Sequence, residues 1–352
     1  MNIVHVYGRH FAQIRNLIHN SVRYSSQTWK EFSQCRPISS NLKMSGEVEG
    51  LSLPEVIEQL EKLADIRSAE GWDNVGLLVE PYTQTRVKSV LLTNDLTENV
   101  LEEAVSGRFS MIVSYHPPVF SAMKRITGET WKERIVACCL ENRIAVYSPH
   151  TSWDAASGGV TDWLAGAFEG HFDPNSVSPI IKPKESPETE KATNGHAPPS
   201  SSATPSVPTT VGMGRVLPIA TTSPPLTLAK CVELVKRRTG LMHVRLATAC
   251  GRSADSPVTA IALVPGSGGS LLKTLLESSS TGTSPIDLFV TGEMFHHDIL
   301  DAVHRGVSVI LTNHSDSERG FLKVAAGRLR LGLGERVRIA ISSTDRDPLR
   351  TV

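Results

Sequence analysis

Cysteine is scarce in this chain of 352 residues, which holds only Cys35, Cys138, Cys139, Cys231 and Cys250. No two of them have C-x-x-C spacing, so zinc-knuckle and thioredoxin-like chemistry have no basis. An odd, unpatterned set suits a reducing compartment, with the thiols serving as small core residues. An excess of one charge is also missing, since lysine plus arginine and aspartate plus glutamate both number 36. That balance argues against a protein whose main task is gripping nucleic acid by its phosphates. No uninterrupted apolar run reaches the roughly 18 residues of a membrane helix. G-x-S-x-G and reactive-cysteine arrangements are absent, so covalent acyl chemistry lacks its usual nucleophile.

What is present is a globular composition. Hydrophobic residues make up 40% of the chain, enough for a substantial core. A chain of this length usually holds two domains, or one large domain with appendages.

The grammar changes along the chain. Residues 1–43 carry Arg9, Arg15, Arg23 and Lys30, and no acid before Glu31. Phe11, Ile14, Leu17, Ile18 and Val22 fall on one face at helical spacing, as in a mitochondrial transit peptide. Translation from Met44 would instead leave a cytoplasmic or nuclear protein. Residues 50–178 read as a first α/β half, opened by the capping-box pattern Ser52-Leu-Pro-Glu55. Ten of the 21 prolines lie from Pro179 to Pro225, with no aromatic among them. A stretch so poor in apolar surface cannot offset its ordering entropy, so 179–225 is expected to be a disordered linker. Residues 226–345 read as a second half with the same plan. Strand, helix, strand, helix, strand and histidine follow one another twice, which predicts mixed sheets flanked by helices.

Potential metal ligands gather at the ends of the predicted strands, where open α/β sheets bind ligands. His116 ends one strand, His150 and Asp154 follow another, and His314 and Glu318 follow a third. Both pairs have the spacing of one helical turn. Histidine with carboxylate suits a divalent ion such as zinc, manganese, iron or nickel. Each element has a plainer reading: a hydrogen-bonded strand-end histidine, or a solvated helix face. Convergence of five such residues favours a shared metal site over those. Gly266-Ser-Gly-Gly269 could cradle a phosphate, though a tight turn explains it as well. His296-His297, beside Glu293, read as an exposed helix start or as partners in proton transfer.

Six motifs carry a family likeness: Trp72-Asp-Asn-Val-Gly-Leu-Leu78, Leu92-Thr-Asn-Asp-Leu-Thr97, Ser114-Tyr-His-Pro-Pro118, Ser148-Pro-His-Thr-Ser-Trp-Asp154, Val290-Thr-Gly-Glu293 and Asn313-His-Ser-Asp-Ser-Glu318. In this order they resemble the Ngg-one-interacting factor three-like (NIF3-like) family, and its animal branch in particular. Bacterial members carry the name GTP cyclohydrolase 1 type 2. The resemblance implies two similar α/β halves, a cleft with one or two metal ions, and a homo-oligomer built from dimers. By motif its ligands fall on His116, Asp154, His314 and Glu318, with His150 as another site histidine. Bacterial members have two adjacent histidines where this chain has Tyr115-His116, and a phenol titrating near pH 10 is a poor ligand. The implied activity is metal-dependent hydrolysis of a nucleotide or similar small substrate, with Glu318 or Glu293 managing protons. The alternative is a regulatory protein that binds transcription-related partners and keeps a degenerate metal site.

Overall fold

The computed structural model describes residues 49–83, 86–183, 210–278 and 285–352. The candidate targeting segment 1–43 and the middle of the expected linker, 184–209, lie outside them. Among the described residues, 123–138 fall in one compact unit, and the remainder of 49–122 and 139–352 in a second. No helix among the described residues is long and apolar enough to cross a membrane.

Ser52 opens the first helix as its motif predicts. Its backbone N–H donates to Glu55 Oε2 at 2.8 Å, and its Oγ accepts from the Glu55 N–H at 3.4 Å. The helices are α1 (Leu53–Leu63), α2 (Glu98–Ser106), α3 (Trp131–Glu141), α4 (Thr151–Ala155), α5 (Val160–Ala165), α6 (Leu228–Thr239), α7 (Gly269–Glu277), α8 (His296–His304) and α9 (Phe321–Leu333). The strands are β1 (Gly76–Val79), β2 (Ser89–Thr93), β3 (Met111–Ser114), β4 (Ala145–Ser148), β5 (Arg215–Pro218), β6 (Arg245–Ala247), β7 (Ala260–Ser267), β8 (Leu288–Glu293), β9 (Ser308–Leu311) and β10 (Arg338–Ile341).

These strands make two five-stranded sheets, ordered β1-β4-β3-β2-β10 and β5-β7-β8-β9-β6. The central trios β2, β3, β4 and β7, β8, β9 are parallel. Their strands are continuous apolar runs because both faces are covered. Antiparallel β1, β5 and β6 close three of the four edges. The expected mixed sheets flanked by helices are therefore what the chain forms.

Two boundaries of the sequence reading need correction. The flanks of the 179–225 span are ordered: β5 pairs with β7, and Ser178 and Ile181 bridge to Val216 and Met213. The proline count hid a strand whose only proline, Pro218, sits at its end on a sheet edge, where a missing N–H costs little. The second half also does not keep its own C-terminus. Strand β10 crosses to the first sheet and pairs in parallel with β2. One core joins both sheets: Leu92, Val113 and Tyr147 of the first share a cluster with Leu263, Val290 and Ile310 of the second, together with Trp153, Trp163 and Phe321.

Arg215 ties β5 to this core. It is 0% exposed, and its Nε donates to Asp162 Oδ1 at 2.6 Å. Its Nη atoms donate to the carbonyls of Gly212, Gly214 and Thr210 at 2.6, 2.8 and 2.9 Å. A buried guanidinium persists only when paired and hydrogen-bonded in this way.

Candidate metal centre

The carboxyl ends of the parallel strands β2, β3, β4, β8 and β9 carry Asn94-Asp95, Tyr115-His116, Pro149-His150, Glu293 and Asn313-His314. Two of these positions have left-handed backbone without being glycine: His150 at φ 34° and Asn313 at φ 68°. Such conformations cost on the order of 1–3 kcal/mol each and cluster at functional sites.

Every site histidine presents Nδ1 to a carboxylate. His116 faces Asp95 at 2.9 Å, His150 faces Asp73 at 2.7 Å, and His314 faces Glu293 at 2.8 Å. With Nδ1–H donated to the acid, the Nε2 lone pair is left outward, which is the arrangement that metal-ligating imidazoles use. The Nε2 atoms of His116 and His314 stand 3.3 Å apart. Glu318, only 3% exposed, spans the pair, with Oε2 at 3.4 Å from His116 Nε2 and Oε1 at 3.5 Å from His314 Nε2. Asn94 Nδ2 donates to Glu318 Oε2 at 2.9 Å, while the buried Asn94 Oδ1 has no partner among the described residues.

These residues fit a cation. His116, His314 and Glu318 each bring a ligand atom within 4.8 Å of the others. A zinc-like ion with ligands at about 2.0–2.1 Å in a tetrahedron has ligand atoms roughly 3.3 Å from one another. Burial disfavours a charged His116, but Glu318 and Asp95 overcome it and push its pKa up to about 11. Without an ion, the carboxylates thus draw a proton onto the imidazole; a bound divalent ion would take that proton's place.

Of the five ligands read from the sequence, the fold converges His116, His314 and Glu318. His314 and Glu318 meet across the 3-10 turn Ser315–Ser317 rather than on an α-helix. His150 and Asp154 do not point at one another, because α4 begins only at Thr151 and His150 precedes it in a non-helical conformation. His150 turns to Asp73, and its ring centroid lies 5.3 Å from that of His116. Asp154 instead accepts the Tyr115 hydroxyl at 2.6 Å. Burial pushes the Asp154 carboxyl up, the Tyr115 hydrogen bond opposes that, and nearby Glu318 adds to it, leaving a pKa of about 7. Burial and Asp154 hold the Tyr115 phenol far above its ordinary value, so it stays a neutral donor. His296 and His297 stand exposed at the start of α8.

Sequence reasoning missed Asp73, Asn94, Asp95 and Gly266 as parts of the site. The first three lie inside the quoted motifs and immediately beside turns or strand ends. Gly266 is a bulge in β7, where the pairing with β8 shifts register. At its φ of 65°, a Cβ would stand 2.5 Å from Glu318 Oε1 and 3.1 Å from His314 Nε2. Only glycine leaves that space open.

The family model described as Duf34/NIF3 (NGG1p interacting factor 3) matches residues 51–348. The chain belongs to this family. NIF3-like protein 1 of Drosophila melanogaster is 41% identical over 312 residues, covering 88% of this chain and 93% of the fly protein. NIF3-like protein 1 of Homo sapiens is 36% identical over 363 residues, covering 86% and 93%. NGG1-interacting factor 3 of Saccharomyces cerevisiae is 32% identical over 319 residues, covering 87% and 99%. Among solved structures, a Bacillus cereus protein related to NIF3 superposes with a TM-score of 0.66 at 20% identity, over 86% of this chain and 99% of that one. HcgD from Methanocaldococcus jannaschii gives 0.63 at 20% identity, over 83% and 98%. At these identities the NIF3 structures establish the shared fold.

Proposed function

We propose that this NIF3 family member is a metal-dependent hydrolase of a small substrate, with His116, His314 and Glu318 holding a divalent ion. The observation that carries this reading is the pair of imidazoles, each backed by a carboxylate at Nδ1, with Nε2 atoms 3.3 Å apart beside Glu318. When bound, such an ion supplies Lewis-acid polarisation and lowers the pKa of water.

The chain's own residues supply the rest. Asp95 and Glu293 fix the tautomer and aim of the imidazoles. Asn94 holds the Glu318 carboxylate in place. The Tyr115 hydroxyl fixes which Asp154 oxygen is engaged.

Elemental analysis of protein purified without chelator or histidine tag, joined to turnover assays over a broad panel of small hydrolysable substrates, tests the reading. Bound transition metal and turnover, both lost in His314→Ala, are expected. A fully metal-loaded protein with no turnover across the panel would count against hydrolysis. The yeast relative is named for an interaction with NGG1, which supports a second reading as a partner-binding protein. Partner binding that survives His314→Ala while metal is lost would separate the two roles.

A further inference from the structure

A chain of rings leads from the metal centre to the surface. The ring centroids of His314 and His116 stand 5.0 Å apart, and those of His116 and His150 5.3 Å. His150 and Trp72 follow at 6.1 Å, then Trp72 and Phe120 at 6.1 Å. The histidines belong to the site already described, whereas the two outer rings have no part in it so far. Trp72 is 62% exposed and Phe120 48%. Tryptophan is highly buried on average, and aromatic residues make up only 5% of this chain. Two of them left together in solvent beside the site therefore call for a role.

Neither stands on a loose loop. Trp72, Asp73 and Asn74 are consecutive, and the latter two pin the turn that presents the indole. Asp73 backs His150 at 2.7 Å and accepts from the Thr151 N–H at 3.1 Å. The Glu70 N–H donates to Thr151 Oγ at 3.0 Å. The Asn74 amide donates to the carbonyl of Val119, the residue before Phe120. Pro117 and Pro118 restrict the backbone that leads there. One acid thus orients a site imidazole and sets the position of the neighbouring indole. Phe120 meets Trp72 at an interplanar angle of 62° and His150 meets it at 77°. Neither lies parallel on the indole, and most of that residue stays open to a flat group from outside.

We propose that Trp72 and Phe120 form a stacking subsite for a planar aromatic or heteroaromatic ring, carried by the small molecule whose reacting end lies at the metal centre. This builds on the metal-site reading above and names a feature of its substrate, a nucleobase being one ring of the required kind. A flat ring gains from the π faces of both side chains as well as from their burial, and a saturated ring of the same size gains only from burial.

The test is binding, not turnover. Zinc-loaded full-length protein, isotope-labelled at its indole nitrogens, is titrated with two hydroxamic acids that share one flexible linker. One ends in a naphthyl ring and the other in the saturated decahydronaphthyl ring. The naphthyl compound is expected to bind about tenfold more tightly and to shift the Trp72 indole resonance, which Trp72→Phe identifies by its loss. Trp72→Leu should abolish the preference while leaving the affinity of the saturated compound as it was. Equal affinities in the wild type, a Trp72 resonance that stays in place, or a preference that survives Trp72→Leu would overturn the proposal. A Trp72 resonance that follows protein concentration and neither ligand would show that a second copy covers the pair, and would overturn it too. Protein that takes up no zinc would sink the metal-site reading. Adenosine, which needs no metal anchor, should still shift the Trp72 resonance at millimolar concentration, and its failure to do so would sink the stacking subsite.

Discussion

His116 Nε2 and His314 Nε2 lie 3.3 Å apart, although 198 residues separate them in the chain. Two imidazole lone pairs this close repel unless a proton or a metal ion stands between them. The fold accepts that cost on strands from different sheets, and it places the carboxylate of Glu318 against both rings.

Removing a ligand should empty the centre. His314→Ala and Glu318→Gln are expected to lose bound transition metal in elemental analysis while circular dichroism stays that of the wild type. Asp95→Asn and Glu293→Gln should weaken metal affinity roughly 10–100-fold, as substitutions behind ligating histidines do. Unchanged metal content in both ligand variants would refute the assignment.

Gly266→Ala places a methyl group 2.5 Å from Glu318 Oε1 on a backbone with φ 65°. The left-handed conformation alone costs about 1–2 kcal/mol with a side chain. The expected outcome is a lowered unfolding midpoint together with weakened metal binding. Wild-type metal affinity in this variant would show that the bulge does not shape the site.

Asp162→Asn leaves the Arg215 guanidinium, 0% exposed, without its counter-charge. Breaking a buried pair from one side costs about 3–5 kcal/mol, and partial exposure of Asp162 places the expectation near the lower end. Urea unfolding measures it. A loss under about 1 kcal/mol would mean that the carbonyls around Arg215 suffice.

Glu103 supports the C-terminal segment through bonds from Ser342, Ser343 and Thr344. Burial opposes its ionisation, but those bonds prevail and lower its pKa from 4.5 to about 2. A carboxylate with a depressed folded pKa adds stability that is present above pH 4.5 and fades as pH falls towards 2. Glu103→Gln should therefore be less stable than wild type at pH 7, with the difference shrinking below pH 4.5. A gap that is the same at pH 7 and pH 3 would contradict this role.

The six motifs and the repeated strand–helix order were legible because buried parallel strands must be continuous apolar runs, and their ends concentrate the polar residues that a cleft needs. His116, His314 and Glu318 stood out for that reason. Asp73 and Asp95 did not, because an acid within two residues of a turn or strand end looks like any turn acid until an imidazole is seen against it. Equal spacing also misled: His314 and Glu318 converge through a 3-10 turn, whereas His150 and Asp154 take separate partners.

The amino-acid sequence by itself determined the family, the alternation of strands and helices, and which residue types crowd the strand ends, since these follow from local periodicity and short motifs. Only the tertiary structure decided that β10 returns to the first sheet, that Tyr115 engages Asp154, and that His116 shares one cluster with His314 and Glu318. Those outcomes depend on long-range packing and on how buried polar groups find partners, and neither leaves a periodic trace along the chain.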